Sequence, residues 1–260
     1  MTAALQKSLQ GDYPGQIPEK RRGMNYLNIY LFSAAVIAAA LISGTARAET
    51  PLVDPQIPGG EHAVYDTKVG DAKFSMDFYA AVVKDGGREL YQITTLSERQ
   101  DKVIRIDKKT MALVSVHALR KYTDATLDST LNVLRETQTF RDGEIKLADF
   151  NILMHIMRGY PFGKLPSLKV GYYGEGNEKG YTMTITYKGT EQVAIKGKAY
   201  ECHKLDFGMS SFIGTFLPKL NLWYSVAPPH YLVKYEGPEC PPGTPRRTLE
   251  LVQYEIKKEK

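Results

Sequence analysis

Reactive side chains are scarce and scattered in this chain. Its 260 residues include only two cysteines, five histidines and one tryptophan. The histidines stand singly, and no H-x-H, H-E-x-x-H or C-x-x-C spacing occurs, so nothing predicts a zinc site. The chain also lacks the G-x-S-x-G elbow of serine hydrolases and a glycine-rich phosphate-binding loop. We therefore predict no catalytic residue, no metal ligand and no cofactor.

A strong charge of one sign is missing as well. The formal net charge of the whole chain is +5. Residues 1–48 hold five Lys or Arg and two Asp or Glu, so the net charge of the remainder is +2. A value this close to zero gives no electrostatic reason to expect nucleic acid as a partner.

Residues 1–48 have the layout of a secretory signal peptide. A basic cluster at Lys20–Arg22 precedes an apolar run over residues 26–42, and Gly44 then leads into small residues that end at Ala48. This order predicts cleavage after Ala48, export to the periplasm and no permanent membrane anchor. The alternative is an anchor that is never cut, because about 18 apolar residues just span a bilayer.

The exported part is predicted to be one β-rich domain over residues 61–260, preceded by a flexible leader over 49–60 that is rich in proline and glycine. Apolar and polar residues alternate with a period of two through most of the domain. In the stretch YTMTITYKG, which begins at Tyr181, every second residue is apolar or aromatic and threonines lie between them. This alternation is typical of half-buried strands, and turn signals such as DGG at Asp85–Gly87 predict hairpins between them.

One segment departs from the alternation. The sequence ADFNILMHIMRGYPFG has Asp149 at an N-cap position, apolar residues on nearly every side, and Gly159 and Pro161 as stop signals. A helix this apolar has to be buried. We therefore predict a mainly β fold, a curved antiparallel sheet or partial β-barrel, with one apolar helix packed across its concave face.

The adjacent residues Cys202 and His203 raise the question of a nucleophile and its base. They lie in the stretch KAYECHKLDF, whose alternation predicts a strand, and neighbouring side chains of a strand point to opposite faces. A cysteine nucleophile needs a histidine within hydrogen-bond reach. The pair is therefore interpreted as ordinary strand residues.

The second cysteine, Cys240, offers Cys202 a disulfide partner. Exported proteins fold in an oxidising compartment, and a bridge closing a loop of about 38 residues contributes roughly 4 kcal/mol in the entropy model. The alternative is that Cys202 is a small buried apolar residue. Both interpretations stay open.

An apolar segment over residues 208–225, GMSSFIGTFLPKLNLWYS, is the main candidate for a binding surface. It is either a loop folded over the core or an apolar rim that receives a lipid. The predicted ligand-binding residues are Phe212 and Phe216 of this segment, with Tyr181, Tyr187, Trp223 and Met154.

The order of these pieces resembles a known family. The apolar helix ends in HIMRGYPFG, the hairpin ends in GKAYECHKLDF, and LWYS and PPHYLVKYEG follow. Over Glu61–Ile256 this is similar to bacterial exported proteins of the domain-of-unknown-function 3108 family. The resemblance implies an envelope protein with a curved β-rich fold, similar in outline to periplasmic lipoprotein carriers, and implies no activity.

Three functions are compatible with this sequence. The first is non-enzymatic binding of a hydrophobic or lipid-like molecule between sheet and helix. The second is a structural or partner-binding envelope protein with a filled core and no ligand. The third, a hydrolase, is the least supported, because the alternation scatters the reactive groups over both faces of the sheet.

Overall fold

A computed structural model describes residues 51–121, 126–132, 145–147, 150–172, 181–209, 220–238 and 245–257 of the chain. Contacts divide the chain into two units, Met1–Ala46 and Arg47–Lys260, and all described residues belong to the second. The predicted signal peptide and its alternative, an uncut anchor, lie outside the described residues.

The described residues form thirteen strands, one short α-helix and a 3₁₀ turn. The helix α1 spans Phe150–Ile156 and continues into the 3₁₀ turn Met157–Gly159. The strands are β1 (Glu61–Val69), β2 (Ala72–Asp85), β3 (Arg88–Ser97), β4 (Gln100–Asp107), β5 (Leu113–Lys121), β6 (Thr126–Asn132), β7 (Ile145–Leu147), β8 (Ser167–Tyr172), β9 (Tyr181–Ile195), β10 (Lys198–Met209), β11 (Leu220–Ser225), β12 (Leu232–Pro238) and β13 (Arg246–Ile256).

All thirteen strands belong to one sheet, in the order β6-β5-β4-β3-β2-β1-β13-β12-β11-β10-β9-β8-β7. Neighbours pair antiparallel, except that β7 runs parallel to β8. The predicted DGG hairpin is confirmed: Gly86 and Gly87 have φ of 56° and 80°, the left-handed values that a tight two-residue turn requires. The chain direction therefore reverses at Asp85–Arg88, and β2 pairs with β3.

The sheet is strongly curved. The strands β9 and β13 approach each other directly, with Cα atoms within 8 Å. These two strands stand four places apart in the sheet order, which in a flat sheet would separate them by about 19 Å. The sheet must therefore curl around the helix, and the predicted fold class is confirmed.

The helix lies on the inner, concave face of the sheet. All residues from Ile152 to Gly159 are buried, as its apolar sequence predicts. Gly159 ends the 3₁₀ turn against the chain at Val53: a Cβ there would lie 2.5 Å from the Val53 carbonyl oxygen and 2.8 Å from Cγ of Met111. Only glycine fits this close approach.

Residues 51–60 correct the prediction of a flexible leader. Leu52 and Ile57 are buried in the main core, with 4% and 3% of their surface exposed. The Val53 amide donates to the Gly159 carbonyl oxygen at 2.8 Å, and the Ile57 amide donates to the hydroxyl of Tyr91 at 3.2 Å. Proline and glycine indicate the absence of regular structure, but two apolar side chains are enough to fix this segment on the helix.

The inner face has two ends, the helix end and the far end. At the helix end, β1 begins at Glu61 beside the last residues of β13. At the far end, β1 finishes at Val69 beside the first residues of β13. The registers place the last residues of β8, β10 and β12 at the far end too, together with the first residue of β11, Leu220.

Candidate functional site

An ion pair between Glu61 and Arg158 joins the 3₁₀ turn to the sheet at the helix end. The two guanidinium Nη atoms donate to the two carboxylate oxygens at 2.6 and 2.8 Å, and both side chains are almost fully buried. The guanidinium also donates to the Pro229 carbonyl oxygen, and the Tyr254 hydroxyl donates to Glu61 at 2.9 Å. Burial acts to lower the pKa of Arg158, but the Glu61 carboxylate outweighs it and leaves that pKa raised. Arg158 therefore stays charged, and this site is structural.

The space between helix and sheet at this end is filled. The cavity beneath Met154 and Arg158 has a volume of about 10 Å³, whereas small-molecule sites usually need about 300 Å³ or more. Met154 is buried, and its carbonyl oxygen accepts a hydrogen bond from the Tyr224 hydroxyl at 2.9 Å. The structure therefore leaves no ligand-sized volume beside Met154, one of the predicted ligand-binding residues.

The far end of the inner face has a different lining. Thr67 of β1 pairs with Phe74 of β2 and Leu249 of β13. Met76 lies two residues after Phe74, and Arg247 lies two residues before Leu249. Both are on the same face as Thr67, and such diagonal neighbours are about 7 Å apart. We call these five residues the far-end site. Its walls are mostly apolar, and Thr67 and Arg247 supply its polar groups.

Both polar side chains of the far-end site are deeply buried. Arg247 is 3% exposed, donates to the Met76 sulfur at 3.3 Å and lies over the ring of Tyr235. Thr67 is 2% exposed, and its hydroxyl oxygen has no hydrogen-bond partner. A buried polar atom without a partner is uncommon in folded proteins and asks for a reason.

The buried charges of the described residues are mainly positive. Lys102, Arg158 and Arg247 are buried, whereas Glu61 is the one buried carboxylate among the residues described. Lys102 lies on the inner face of β4, opposite Thr95, and both Lys102 and Arg247 make further contacts. Among the described residues, the buried charged side chains of the inner face away from the Glu61–Arg158 pair are Lys102 and Arg247.

A second polar site, which we call the imidazole cluster, consists of Phe162, Tyr187, His203 and His230. The rings of Phe162 and His203 are stacked with centroids 4.3 Å apart, and His230 lies 5.7 Å from His203. The Tyr187 hydroxyl and His203 Nδ1 are hydrogen-bonded at 3.0 Å. All four side chains are partly exposed, so a solute has access to the cluster.

The protonation of the two imidazoles is constrained by their surroundings. Burial, followed by the proximity of His230, lowers the pKa of His203 to about 4, so this ring is neutral at physiological pH. The His230 Nδ1 atom lies 2.9 Å from the Ser225 carbonyl oxygen. Because a carbonyl oxygen can only accept, this Nδ1 carries a proton, and in the neutral ring the lone pair is on Nε2.

The structure separates Cys202 from His203, as the alternation predicts. Both are in the strand β10, where Leu205 and Phe207 face the main core while Cys202 packs into a second cluster on the outer face. Burial, with smaller contributions from Glu191 and Glu201, raises the pKa of the Cys202 thiol to about 12. A thiol that stays protonated is a poor nucleophile.

Trp223 also lies on the outer face, whereas the sequence predicts that it lines a ligand site between sheet and helix. Its ring packs with Cys202 and Val233, beneath the ammonium groups of Lys204 and Lys234, and its Nε1 donates to Glu191 at 2.6 Å. The reason is alternation: its neighbours in β11 face the inner side, so Trp223 cannot.

The other predicted ligand-binding residues are only partly covered by the structure. Tyr187 packs against the main core and contacts His203. The backbone of Tyr181 begins β9, but its side chain is not among those described. Phe212, Phe216 and Cys240 lie outside the described residues, so the apolar rim and the disulfide stay predictions.

The sequence alone did not predict that Glu61 and Arg158 lie at the helix end of the inner face and Arg247 at its far end. Glu61 and Arg158 are 97 positions apart, and no local pattern connects them. A signal for Arg247 did exist: it is in phase with Leu249 and Leu251, whose alternation places all three on the inner face.

The outer face carries an open groove of about 490 Å³. Its lining is polar and largely acidic, and comprises Ser75, Asp77, Leu96, Ser97, Glu98, Asp101 and Lys121. Lys121 donates to Asp101 at 2.6 Å. Such a lining does not suit an apolar ligand.

In the described part of the chain, no three or more His, Cys, Asp or Glu side chains are grouped so as to hold a metal ion. No helix among these residues has the length and apolarity needed to cross a membrane.

Comparisons with known proteins find remote likenesses in structure. No protein-family model matches the chain, and no curated protein matches it, so the resemblance to the 3108 family stays a prediction. A beta-barrel-like protein of domain of unknown function DUF1849 from Brucella abortus aligns with 11% identity over 76% of this chain and 98% of its own, with a TM-score of 0.39. The lipoprotein LppX of Mycobacterium tuberculosis aligns with 10% identity over 79% of this chain and 92% of its own, with a TM-score of 0.30.

Proposed function

We propose that the protein is exported to the periplasm and binds a hydrophobic, lipid-like molecule without catalysing a reaction. The ligand binds at the far end of the inner face, and not beneath the helix as the sequence alone suggested. The far-end site carries this proposal, because it combines apolar walls with a buried guanidinium and a buried hydroxyl that has no hydrogen-bond partner. Mostly apolar linings with a few placed polar groups are typical of ligand sites.

The neighbouring sequence supports the same location. Met209 and Leu220 lie at the far end, and the sequence between them contains Phe212 and Phe216. At the helix end, in contrast, the cavity of about 10 Å³ holds one water molecule at most. The ligand is an amphiphile whose polar group faces Thr67 and Arg247.

Binding of a dansyl-labelled fatty acid to the protein lacking residues 1–48 tests this function. We expect saturable binding that Arg247→Gln weakens at least tenfold and Thr67→Val weakens less, because it removes one hydroxyl and keeps the shape. Arg246→Gln is the matched control: Arg246 is the adjacent residue, exposed and paired with Glu236 on the outer side. It should bind like the wild type.

Two results would contradict the proposal. One is the absence of saturable binding to the wild-type protein, and the other is equal binding by the Arg247 and Arg246 variants. Circular dichroism of each variant establishes that it is folded, and the isosteric Thr67→Val keeps the test open if Arg247→Gln does not fold.

The filled space beneath the helix favours a second function, partner binding without a ligand. This function predicts no fatty-acid binding by any variant and a folded protein that binds another envelope protein. The same titration therefore separates the two functions.

A further inference from the structure

Two histidines of the imidazole cluster are held as metal ligands usually are. His203 Nδ1 is hydrogen-bonded to the Tyr187 hydroxyl at 3.0 Å, and His230 Nδ1 donates to the Ser225 carbonyl oxygen at 2.9 Å. In metal sites the non-ligating ring nitrogen of a histidine almost always has such a partner, often a backbone carbonyl, which fixes the ring and directs the other nitrogen to the ion. In both rings the nitrogen not engaged in these bonds is Nε2.

The separation of the two rings suits one shared ion. Their centroids are 5.7 Å apart at an interplanar angle of 61°. With metal–nitrogen bonds of about 2.0 Å, two imidazoles on one ion have centroids about 5 Å apart at a tetrahedral angle and about 6 Å apart when collinear. The observed distance lies between these limits.

The backbone at His230 adopts a left-handed conformation. Its φ is +52°, in the left-handed region that a residue with a Cβ enters at some cost. Residues in such conformations cluster at binding sites, where the surrounding structure maintains them. Here the conformation places the His230 ring against Phe162 and His203.

We propose that His203 and His230 bind one transition-metal ion of the kind that prefers imidazole nitrogen, Zn²⁺ or Cu⁺, through their Nε2 atoms. Water or a small anion completes the coordination of Zn²⁺, and two nitrogens are sufficient for Cu⁺. Tyr187 is a positioning residue, because it acts on the ion through the His203 ring.

Competition against chromophoric chelators, with Zn²⁺ and Cu⁺ in separate titrations of tag-free protein lacking residues 1–48, tests this site. We expect one ion per chain for at least one of the two metals. His203→Gln and His230→Asn should each lower the affinity at least tenfold. Asparagine is chosen at position 230 because it tolerates the left-handed backbone.

The controls separate ligation from folding. His117→Gln alters a half-exposed histidine on β5, far from the cluster in the sheet order, and should leave the affinity unchanged. Tyr187→Phe should lower the affinity several-fold while the metal-free unfolding curve changes little. X-ray absorption of the loaded protein should report imidazole scattering that is weaker in His203→Gln, where His230 is the one remaining imidazole ligand. The proposal is overturned if neither metal binds, or if the double variant His203→Gln/His230→Asn binds as well as the wild type.

Discussion

Arg158 and Arg247 are both buried on the inner face of one sheet, yet their surroundings differ. At the helix end, Arg158 meets a carboxylate in bidentate geometry, and a backbone carbonyl accepts from its remaining donors. At the far end, Arg247 donates to the Met76 thioether, lies over the ring of Tyr235 and makes further contacts, while the Thr67 hydroxyl of the same site has no hydrogen-bond partner. Burial of a charge therefore does not define its role. Arg158 holds the 3₁₀ turn on the sheet, and Arg247 lines the proposed binding surface.

The largest effect is expected from breaking the pair at the helix end. Arg158→Met leaves the Glu61 carboxylate buried without its cation and should reduce the free energy of unfolding by about 3–5 kcal/mol. The double variant Glu61→Leu/Arg158→Met should lose less than Arg158→Met alone, because no uncompensated charge remains. Urea unfolding of both, with Arg246→Met as the exposed control, measures the difference. A double variant that is less stable than Arg158→Met would contradict the structural role of the pair.

A smaller loss of stability is expected from a substitution at the close contact between Gly159 and Val53, also at the helix end. Gly159→Ala places a methyl group 2.5 Å from the Val53 carbonyl oxygen, and such overpacking typically costs about 1–3 kcal/mol. Gly208→Ala is the matched control, because its Cβ would meet no atom within 4 Å. Equal unfolding midpoints for the two variants would mean that residues 51–57 do not hold the helix end.

At the far end, a substitution at Thr67 should increase the stability of the protein. Thr67→Val replaces a buried hydroxyl that has no partner by a methyl group of the same shape, and should raise the free energy of unfolding by about 1 kcal/mol. In the control Thr110→Val, the hydroxyl removed donates to Asp107 at 3.0 Å, and stability should fall by a similar amount. A loss of stability in Thr67→Val would indicate that its hydroxyl is already satisfied.

The Cys202 thiol on the outer face should be unreactive in the native state. In a Cys240→Ser variant, the Cys202 thiol, whose pKa is about 12, should not react with a disulfide reagent at pH 8, because almost none of it is thiolate below that pKa. One thiol should appear in guanidinium chloride. The wild type unfolded without reductant tests the disulfide: two thiols indicate free cysteines, and none indicates the bridge.

The sequence was sufficient for the fold and insufficient for the site. Alternation predicted the strands, and the run from Ile152 to Met157 predicted a buried helix, because both depend on local periodicity. The Glu61–Arg158 pair depends on how far the sheet curls, which no local pattern records. Trp223 shows a rule applied incompletely: its neighbour Tyr224 faces the inner side, so alternation already required Trp223 to face the outer side.

Native mass spectra of wild type and Arg247→Gln, both purified from the protein's own host, test whether a lipid binds at the far-end site. We expect a bound species of lipid mass on the wild-type protein that is absent from the variant, while both remain folded. A wild-type protein without any bound species, or the same species in equal amount on both proteins, would contradict it.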